Sequence, residues 1–233
     1  MTAAALESSL FETTSMGPLL LSIRLATTTT LVLLIIATPL AWWLAHTTSR
    51  WKPGIQATVA LPIVLPPTVI GFYLLIVLGP YGTIGRWWVE VTGDALTFSF
   101  TGLVIASCIY SLPFAVQPLQ VAFQSLDRRD VEAARTLGAS PLDAFFSVAA
   151  PLSAHGFLNA IVLSFAHTLG EFGVVLMVGG NIPGETRVIS IAIYDHVESL
   201  DYAAAHQMSA LLLAFAFVVL LSMFVINRRL SRR

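Results

Sequence analysis

Val131-Glu132-Ala133-Ala134-Arg135-Thr136-Leu137-Gly138, followed by Ala149-Ala150-Pro151, is the most polar, charge-dense run between two long apolar segments of this 233-residue chain. The wider stretch, residues 127–151, predicts two short helices joined by a sharp turn. Glu132, Ala133, Ala134 and Arg135 favour a helix, and Gly138 suits the left-handed residue that ends one. Ser140-Pro141-Leu142-Asp143 then restarts the chain: Ser140 as N-cap, Pro141 at the first helical position, Asp143 near the positive end of the helix dipole. Leu142, Phe145, Phe146 and Ala149 fall at i, i+3, i+4 and i+7, which gives one apolar face. Pro151 blocks continuation and marks entry into the next apolar segment. Two helices joined at a glycine make a rigid knob, the shape required if movement of a soluble partner is to reorient the helices on either side. The plainer alternative is a loop that only packs on the surface of the apolar part.

That apolar part decides the class. The chain is 56% hydrophobic and 11% charged, with a mean hydropathy of +0.81, whereas a soluble domain carries about 25% charge. This composition predicts an all-α integral membrane protein, a single transmembrane domain over residues 1–233. Five runs are long enough to cross a bilayer: about 18–45, 55–78, 98–123, 152–180 and 203–226. The knob then lies between spans three and four. Positive charge sorts across the loops. Arg50, Lys52, Arg128, Arg129, Arg135, Arg228, Arg229, Arg232 and Arg233 fall on one side, Arg86 and Arg187 on the other. Such a bias puts the N-terminus outside, and the C-terminus and the knob in the cytoplasm. Glu7, Glu12 and the lack of Lys or Arg before Arg24 argue against a cleaved secretory signal, so the first span is expected to be retained. Trp42, Trp43 and Trp51 on one side, and Trp87 and Trp88 on the other, suit interfacial belts. No basic groove accompanies them, which speaks against nucleic acid. Cys108 is the single cysteine, read as a small buried hydrophobe; it excludes an internal disulfide and a cysteine-based metal site. Residues 182–200 contain too short an apolar stretch to span. Ile189, Ile193, Val197 and Leu200 predict an outer interfacial or re-entrant helix.

Several residues inside the expected spans invite a functional reading. Pro62, Pro66 and Pro67 remove backbone donors from span two. They mark either a packing kink or a broken helix lining a path or gate. Pro113 and Pro118 pose the same choice in span three. His167 and Glu171 stand at i and i+4 in span four, and their obvious pairing is with each other. A carboxylate repels an anion, so Glu171 reads as a structural or gate residue. Gly170, Gly173, Gly179 and Gly180 allow close approach of helices. Thr27 to Thr30 are expected to bond back to their own helix, and Arg24 to reach for the interface. No Walker-type glycine loop, zinc spacing or nucleophile–base pair is present, so neither a catalytic nor a metal site is expected.

Glu132-Ala133-Ala134, three residues, Gly138, and an apolar stretch ending at Pro151 resemble the cytoplasmic signature of ATP-binding-cassette (ABC) importer permeases. Leu61-Pro62-Ile63-Val64-Leu65-Pro66-Pro67, with Gly71 and Gly79-Pro80-Tyr81-Gly82-Thr83-Ile84-Gly85, resembles the second-span region of molybdate permeases. So does Leu169-Gly170-Glu171-Phe172-Gly173, followed by Gly179-Gly180-Asn181-Ile182-Pro183-Gly184-Glu185-Thr186-Arg187. Sulfate permeases share a looser version of that block, and His167 stands where an arginine is frequent. The resemblance implies a MetI-like fold in the inner membrane. Glu132, Ala133, Ala134, Gly138 and Pro151 would seat the coupling loop in a cleft of a separate ATPase subunit. It implies a homodimer with the path at its two-fold axis, two ATPases that consume the ATP, and an external binding protein carrying the cargo. The permease itself would need no cofactor. Molybdate or tungstate is the expected cargo; sulfate or thiosulfate is the alternative. A proton-coupled secondary anion transporter, with His167 and Glu171 as relay, is a second class. Pro62, Pro66, Pro67, Gly170, Glu171 and Gly173 are the candidates for path or gate.

Overall fold

The computed structural model describes residues 16–230, and all regular structure among them is helical. Glu7, Glu12, Arg232 and Arg233 lie outside the described residues. In chain order the helices are α1 (Met16–His46), α2 (Lys52–Val64), α3 (Pro67–Leu78), α4 (Thr83–Thr92) and α5 (Phe100–Gln124). There follow α6 (Arg128–Thr136), α7 (Pro141–Ala144), α8 (Ala154–Leu169), α9 (Gly173–Gly179), α10 (Ile189–Glu198) and α11 (Tyr202–Leu230). Three of them, α1, α5 and α11, are by themselves long and apolar enough to cross a membrane.

The second expected span is a bent pair. Helices α2 and α3 meet at 112°. Leu65 and Pro66 each precede a proline, and both are extended, with ψ of 138° and 137°. A residue before proline is pushed out of the helical region by the ring, so two in succession interrupt the helix completely. Pro62 lies inside α2 without stopping it. Pro113 and Pro118 likewise sit within an unbroken α5, so they do not break span three. The fourth expected span is also interrupted. Helix α8 ends at Leu169, and α9 begins only at Gly173. At its other end, the segment 141–152 meets α8 at 75°.

The core is a layer of α1, α5 and α8. Leu33, Ala37, Ala41 and Leu44 of α1 pack on Val116, Leu119 and Phe123 of α5 and Ala160 of α8. Ala37, Ala41 and Ala160 let the helix backbones approach, which is how helices associate without a hydrophobic driving force between them. Helices α3 and α9 pack on each other beside this layer, through Ile70, Leu78, Val174 and Val178. Leu25 of α1 reaches Val175 of α9.

Helix α10, only ten residues long, is the short helix expected from the 182–200 pattern. Its buried face is Ile189, Ile191 and Ala192, however, while Val197 and Leu200 are exposed. Of the expected Ile189, Ile193, Val197 and Leu200 face only Leu200 drops out: the helix stops at Glu198 and Leu200 has a left-handed φ of 62°. The expected loop around Trp87 and Trp88 contains helix α4, closed by Gly93 at φ 83° and braced by Arg86–Glu90 at 3.0 Å. Thr29 and Thr30 do not bond back to their helix: both hydroxyls are buried without a partner. The guanidinium of Arg24 lies 4.4 Å over the Phe100 ring rather than extending freely.

Candidate functional site

The knob forms as its sequence dictates. Asp127 Oδ1 accepts from the Arg129 N–H at 3.0 Å and starts α6. Gly138 follows at φ 96°, a conformation that favours glycine. Ser140 and Asp143 then form a reciprocal capping box: Ser140 Oγ accepts from Asp143 N–H at 3.2 Å, and Asp143 Oδ2 accepts from Ser140 N–H at 3.3 Å. Beyond α7 the chain makes a π-helical turn over Phe145–Ala149, in which the Ala150 N–H bonds to Phe145 O. Such turns insert an extra residue and are frequent at functional sites.

Pro151 plays a different part from the one expected. It lies inside the short turn Ala150–Leu152, and the chain changes direction two residues later, at Ser153 (φ −93°, ψ 13°). The widened turn before it relieves the demand for a proline N–H. Glu132, Ala133, Gly138 and Pro151 are exposed, and Ala134 is half-buried. Leu137, at 89% exposure, stands out on the turn.

One ring ties the knob to the bundle. Phe145 lies edge-on to Trp42 of α1, with centroids 5.2 Å apart and planes at 89°. It also meets Phe123 of α5 at 6.0 Å, and Phe123 meets Phe157 of α8 at 5.9 Å. Trp42 is thus half-buried in this cluster, held against His46 at 4.2 Å. Trp43 and Trp51 are exposed as a belt requires.

A second feature lies where the two interrupted spans meet. A cavity of about 590 Å³ is lined by Pro67, Thr68, Tyr110, His167, Gly170, Glu171 and Gly173, among others. Four of the six residues singled out for path or gate therefore come together. Pro62 and Pro66 do not line it: Pro62 is buried in α2, and Pro66 sits at the N-cap of α3.

His167 and Glu171 are not paired with each other. The expectation assumed one continuous helix, but α8 ends at Leu169 and the i, i+4 register is lost. His167 Nδ1 instead shares a hydrogen bond with Ser111 Oγ at 2.9 Å, and Ser111 Oγ bonds Thr168 Oγ1 at 3.0 Å. The imidazole stacks on Phe114 at 4.0 Å and leans on Tyr110 at 4.8 Å. Glu171 is 4% exposed; neither carboxylate oxygen makes a hydrogen bond within 3.5 Å among the described residues, and the buried hydroxyl of Ser107 on α5 lies beside it. Its backbone carbonyl accepts from Ser190 Oγ of α10 at 2.6 Å, which fixes the loop between α8 and α9. Sequence reasoning missed Thr68, Tyr110 and Ser111. The spacing of Ser107 and Ser111, one helical turn apart in an apolar run, was the available signal for a polar stripe on α5.

The model of one protein family, described as "Binding-protein-dependent transport system inner membrane component", matches residues 10–233. The chain belongs to this family. The molybdenum transport system permease protein ModB of Azotobacter vinelandii is 53% identical over 208 residues, covering 89% of this chain and 92% of that protein. The ModB protein of Haemophilus influenzae is 36% identical over 213 residues, covering 91% and 92%. Among solved structures, a chain of a bacterial alginate ABC transporter in complex with an alginate pentasaccharide-bound periplasmic protein matches with a TM-score of 0.74. It is 17% identical, with 93% of this chain and 79% of that chain covered; at that identity the likeness carries the fold alone.

As a membrane component of such a transport system, the chain is a transport subunit and not an enzyme. The contact between its two interrupted spans depends on glycine. A Cβ on Gly173 would lie 2.7 Å from Cβ of Pro67, and a Cβ on Gly71 would lie 2.7 Å from Cβ of Met177 and 3.2 Å from the Val174 backbone. Helices α3 and α9 of the permease therefore touch at backbone distance. The cavity lining carries no Lys or Arg. An anion there would meet the hydroxyls of Thr68 and Tyr110 and the imidazole of His167.

Proposed function

We propose that this chain is the membrane permease of an ATP-driven importer of molybdate. The observation that carries the reading is the 53% identity, across nearly the whole chain, to a molybdenum transport permease. Tungstate has nearly the same size and charge and would follow the same route. The His–Glu relay of a proton-coupled transporter loses its basis, because His167 is bonded to Ser111.

In this reading the permease has five spans: α1, the bent α2–α3 pair, α5, α8 with its continuation α9, and α11. Its N-terminus is outside and its C-terminus in the cytoplasm, as the placement of positive charge suggests. A reporter fused after Arg233 gives a cytoplasmic signal if this is right, and an external signal would overturn it. Residues 127–151 then face the cytoplasm, where Glu132, Ala133, Ala134 and Gly138 dock on an ATPase subunit. Two permeases pair about a two-fold axis, so that two knobs meet two ATPases. Closure of the ATPases on ATP drives the knobs together and opens the outer side to a loaded binding protein; hydrolysis reverses the motion. Pro67, Gly170, Glu171 and Gly173 form part of the path or its gate. The binding protein supplies most of the selectivity, which suits a cavity without a fixed cation.

The test is molybdenum accumulation at trace external molybdate in cells lacking this chain, with and without excess sulfate. Loss of accumulation, restored by the wild-type chain and insensitive to sulfate, is expected. Normal molybdenum with impaired sulfate uptake would replace the cargo.

A further inference from the structure

We propose that His167 presents Nε2–H to the cavity at the interrupted spans as a fixed donor for a tetrahedral oxyanion, and that Ser111 and Thr168 hold the imidazole in that tautomer. The choice of ligand rests on the importer reading above; the tautomer rests on geometry alone.

Proton counting decides the tautomer. Ser111 Oγ stands between two partners, His167 Nδ1 at 2.9 Å and Thr168 Oγ1 at 3.0 Å, and neither hydroxyl has another acceptor among the described residues. Each bond uses one proton, and Ser111 and Thr168 bring one each. If Nδ1 is bare, both are used: Thr168 donates to Ser111, and Ser111 donates to Nδ1. If Nδ1 carries a proton, three protons compete for two bonds, and one hydroxyl proton is left over. Ser111 is fully buried and Thr168 is 3% exposed, so water does not reach the leftover proton, and a buried donor without an acceptor is costly. The ring therefore carries its proton on Nε2. The same bonds fix the ring in place: Nδ1 is anchored to α5, and the ring stacks on Phe114 at 4.0 Å. His167 lines the cavity, and Nε2 makes no hydrogen bond among the described residues.

The surroundings of Nε2–H point to the ligand. Tyr110, which leans on the same ring at 4.8 Å, and Thr68 of α3 bring hydroxyls to the same cavity. The donors come from three helices, α3, α5 and α8, which suits an ion whose oxygens point in several directions. None is a Lys or an Arg, so the site holds its ligand weakly, as a path that must release its cargo requires. Glu171, the one carboxylate of the lining, is 4% exposed and lies beside Ser107, which is not part of the lining.

The full chain, purified with its associated subunits and labelled with nitrogen-15 histidine, is compared with His167→Gln by solid-state NMR, so that the difference spectrum isolates one ring. The expected result is a proton on Nε2 and a bare Nδ1; a proton on Nδ1, alone or together with one on Nε2, would overturn the proposal. Thr168→Val, a change outside the cavity lining, removes one hydroxyl proton, so that Nδ1–H no longer strands one. The ring should then become a mixture of tautomers, and a ring unchanged from the wild type would refute the hydroxyl chain. Sodium molybdate, added without a binding protein, should shift the Nε2 signal, and sodium chloride at equal ionic strength should not. Tyr110→Phe should weaken the molybdate effect about tenfold, the loss of one hydrogen bond to a charged group. No shift with molybdate, or an equal shift with chloride, would overturn the oxyanion site. A failed importer reading would appear separately, as normal molybdenum accumulation in the uptake assay with the tautomer unaffected.

Discussion

Truncating Phe145 to alanine should separate ATP hydrolysis from transport. The ring makes three edge-on contacts: with Trp42 at 5.2 Å, Phe123 at 6.0 Å and Phe146 at 5.2 Å. Aromatic pairs contribute about 0.5–1.5 kcal/mol each beyond the area they bury. Phe146 belongs to the knob itself, so two pairs hold the knob to the spans. Phe145 is only half-buried, so the full 3–5 kcal/mol of a buried Phe→Ala change does not apply. A loss of about 2 kcal/mol lowers the ratio of seated to unseated knob about thirtyfold. The core of the bundle does not depend on this ring, so the protein should insert and assemble. Reconstituted with its ATPase partner in vesicles, Phe145→Ala should hydrolyse ATP near the wild-type rate and deliver far less molybdate per ATP. Phe145→Leu, which restores volume without the ring geometry, should fall between. Uptake and hydrolysis lowered by one common factor, or both left unchanged, would refute the role given to this ring.

Three further outcomes can be checked. Gly173→Ala drives a Cβ against the rigid Pro67 ring at 2.7 Å; a cost of about 1–3 kcal/mol should appear as a lower unfolding temperature in detergent, and an unchanged transition would contradict the close contact. At Gly138 an added Cβ has open space but the φ is 96°, so Gly138→Ala should cost only the backbone strain of about 1–2 kcal/mol, whereas Gly138→Trp or Glu132→Lys should leave insertion intact and abolish stimulation of transport by ATP; transport at the wild-type level in either would remove these residues from the docking surface. Glu171→Gln keeps the shape of a carboxylate that makes no hydrogen bond among the described residues, so competition assays should show the rate of uptake altered and the preference for molybdate over sulfate retained; a large shift in preference would make Glu171 a cargo contact.

The limits of the sequence are those of hydropathy itself. Apolar length located every long segment within a few residues, since burial in lipid demands it, and local capping rules located the knob: Gly138 and the Ser140–Asp143 box sit as their residue types require. Hydropathy carries no information on direction. Residues 55–78 and 152–180 read as continuous runs, yet each is interrupted. The interruption at 170–172 follows no proline; its local signal is glycine, with Gly170 closing α8 and Gly173 opening α9, and the expected His167–Glu171 pair fails with the helix that was to carry it. Pro66 and Pro67 did announce a bend, but not one of 112°. Trp42 illustrates the same gap: hydropathy gives no sign that Phe145, more than a hundred residues away in sequence, packs edge-on against it.

The notched contact between α3 and α9 has a genetic consequence. Each helix supplies one glycine and one obstructing side chain: Gly71 faces Met177, and Gly173 faces Pro67. The two interrupted spans are therefore keyed into one another, and neither straightens alone. Defects on one side should accordingly be repaired from the other. Selection for revertants of a crippled Gly71 substitution should return smaller residues at Met177, and revertants at Gly173 should fall at Pro67, while second-site changes scattered through α1 or α11 should not restore growth.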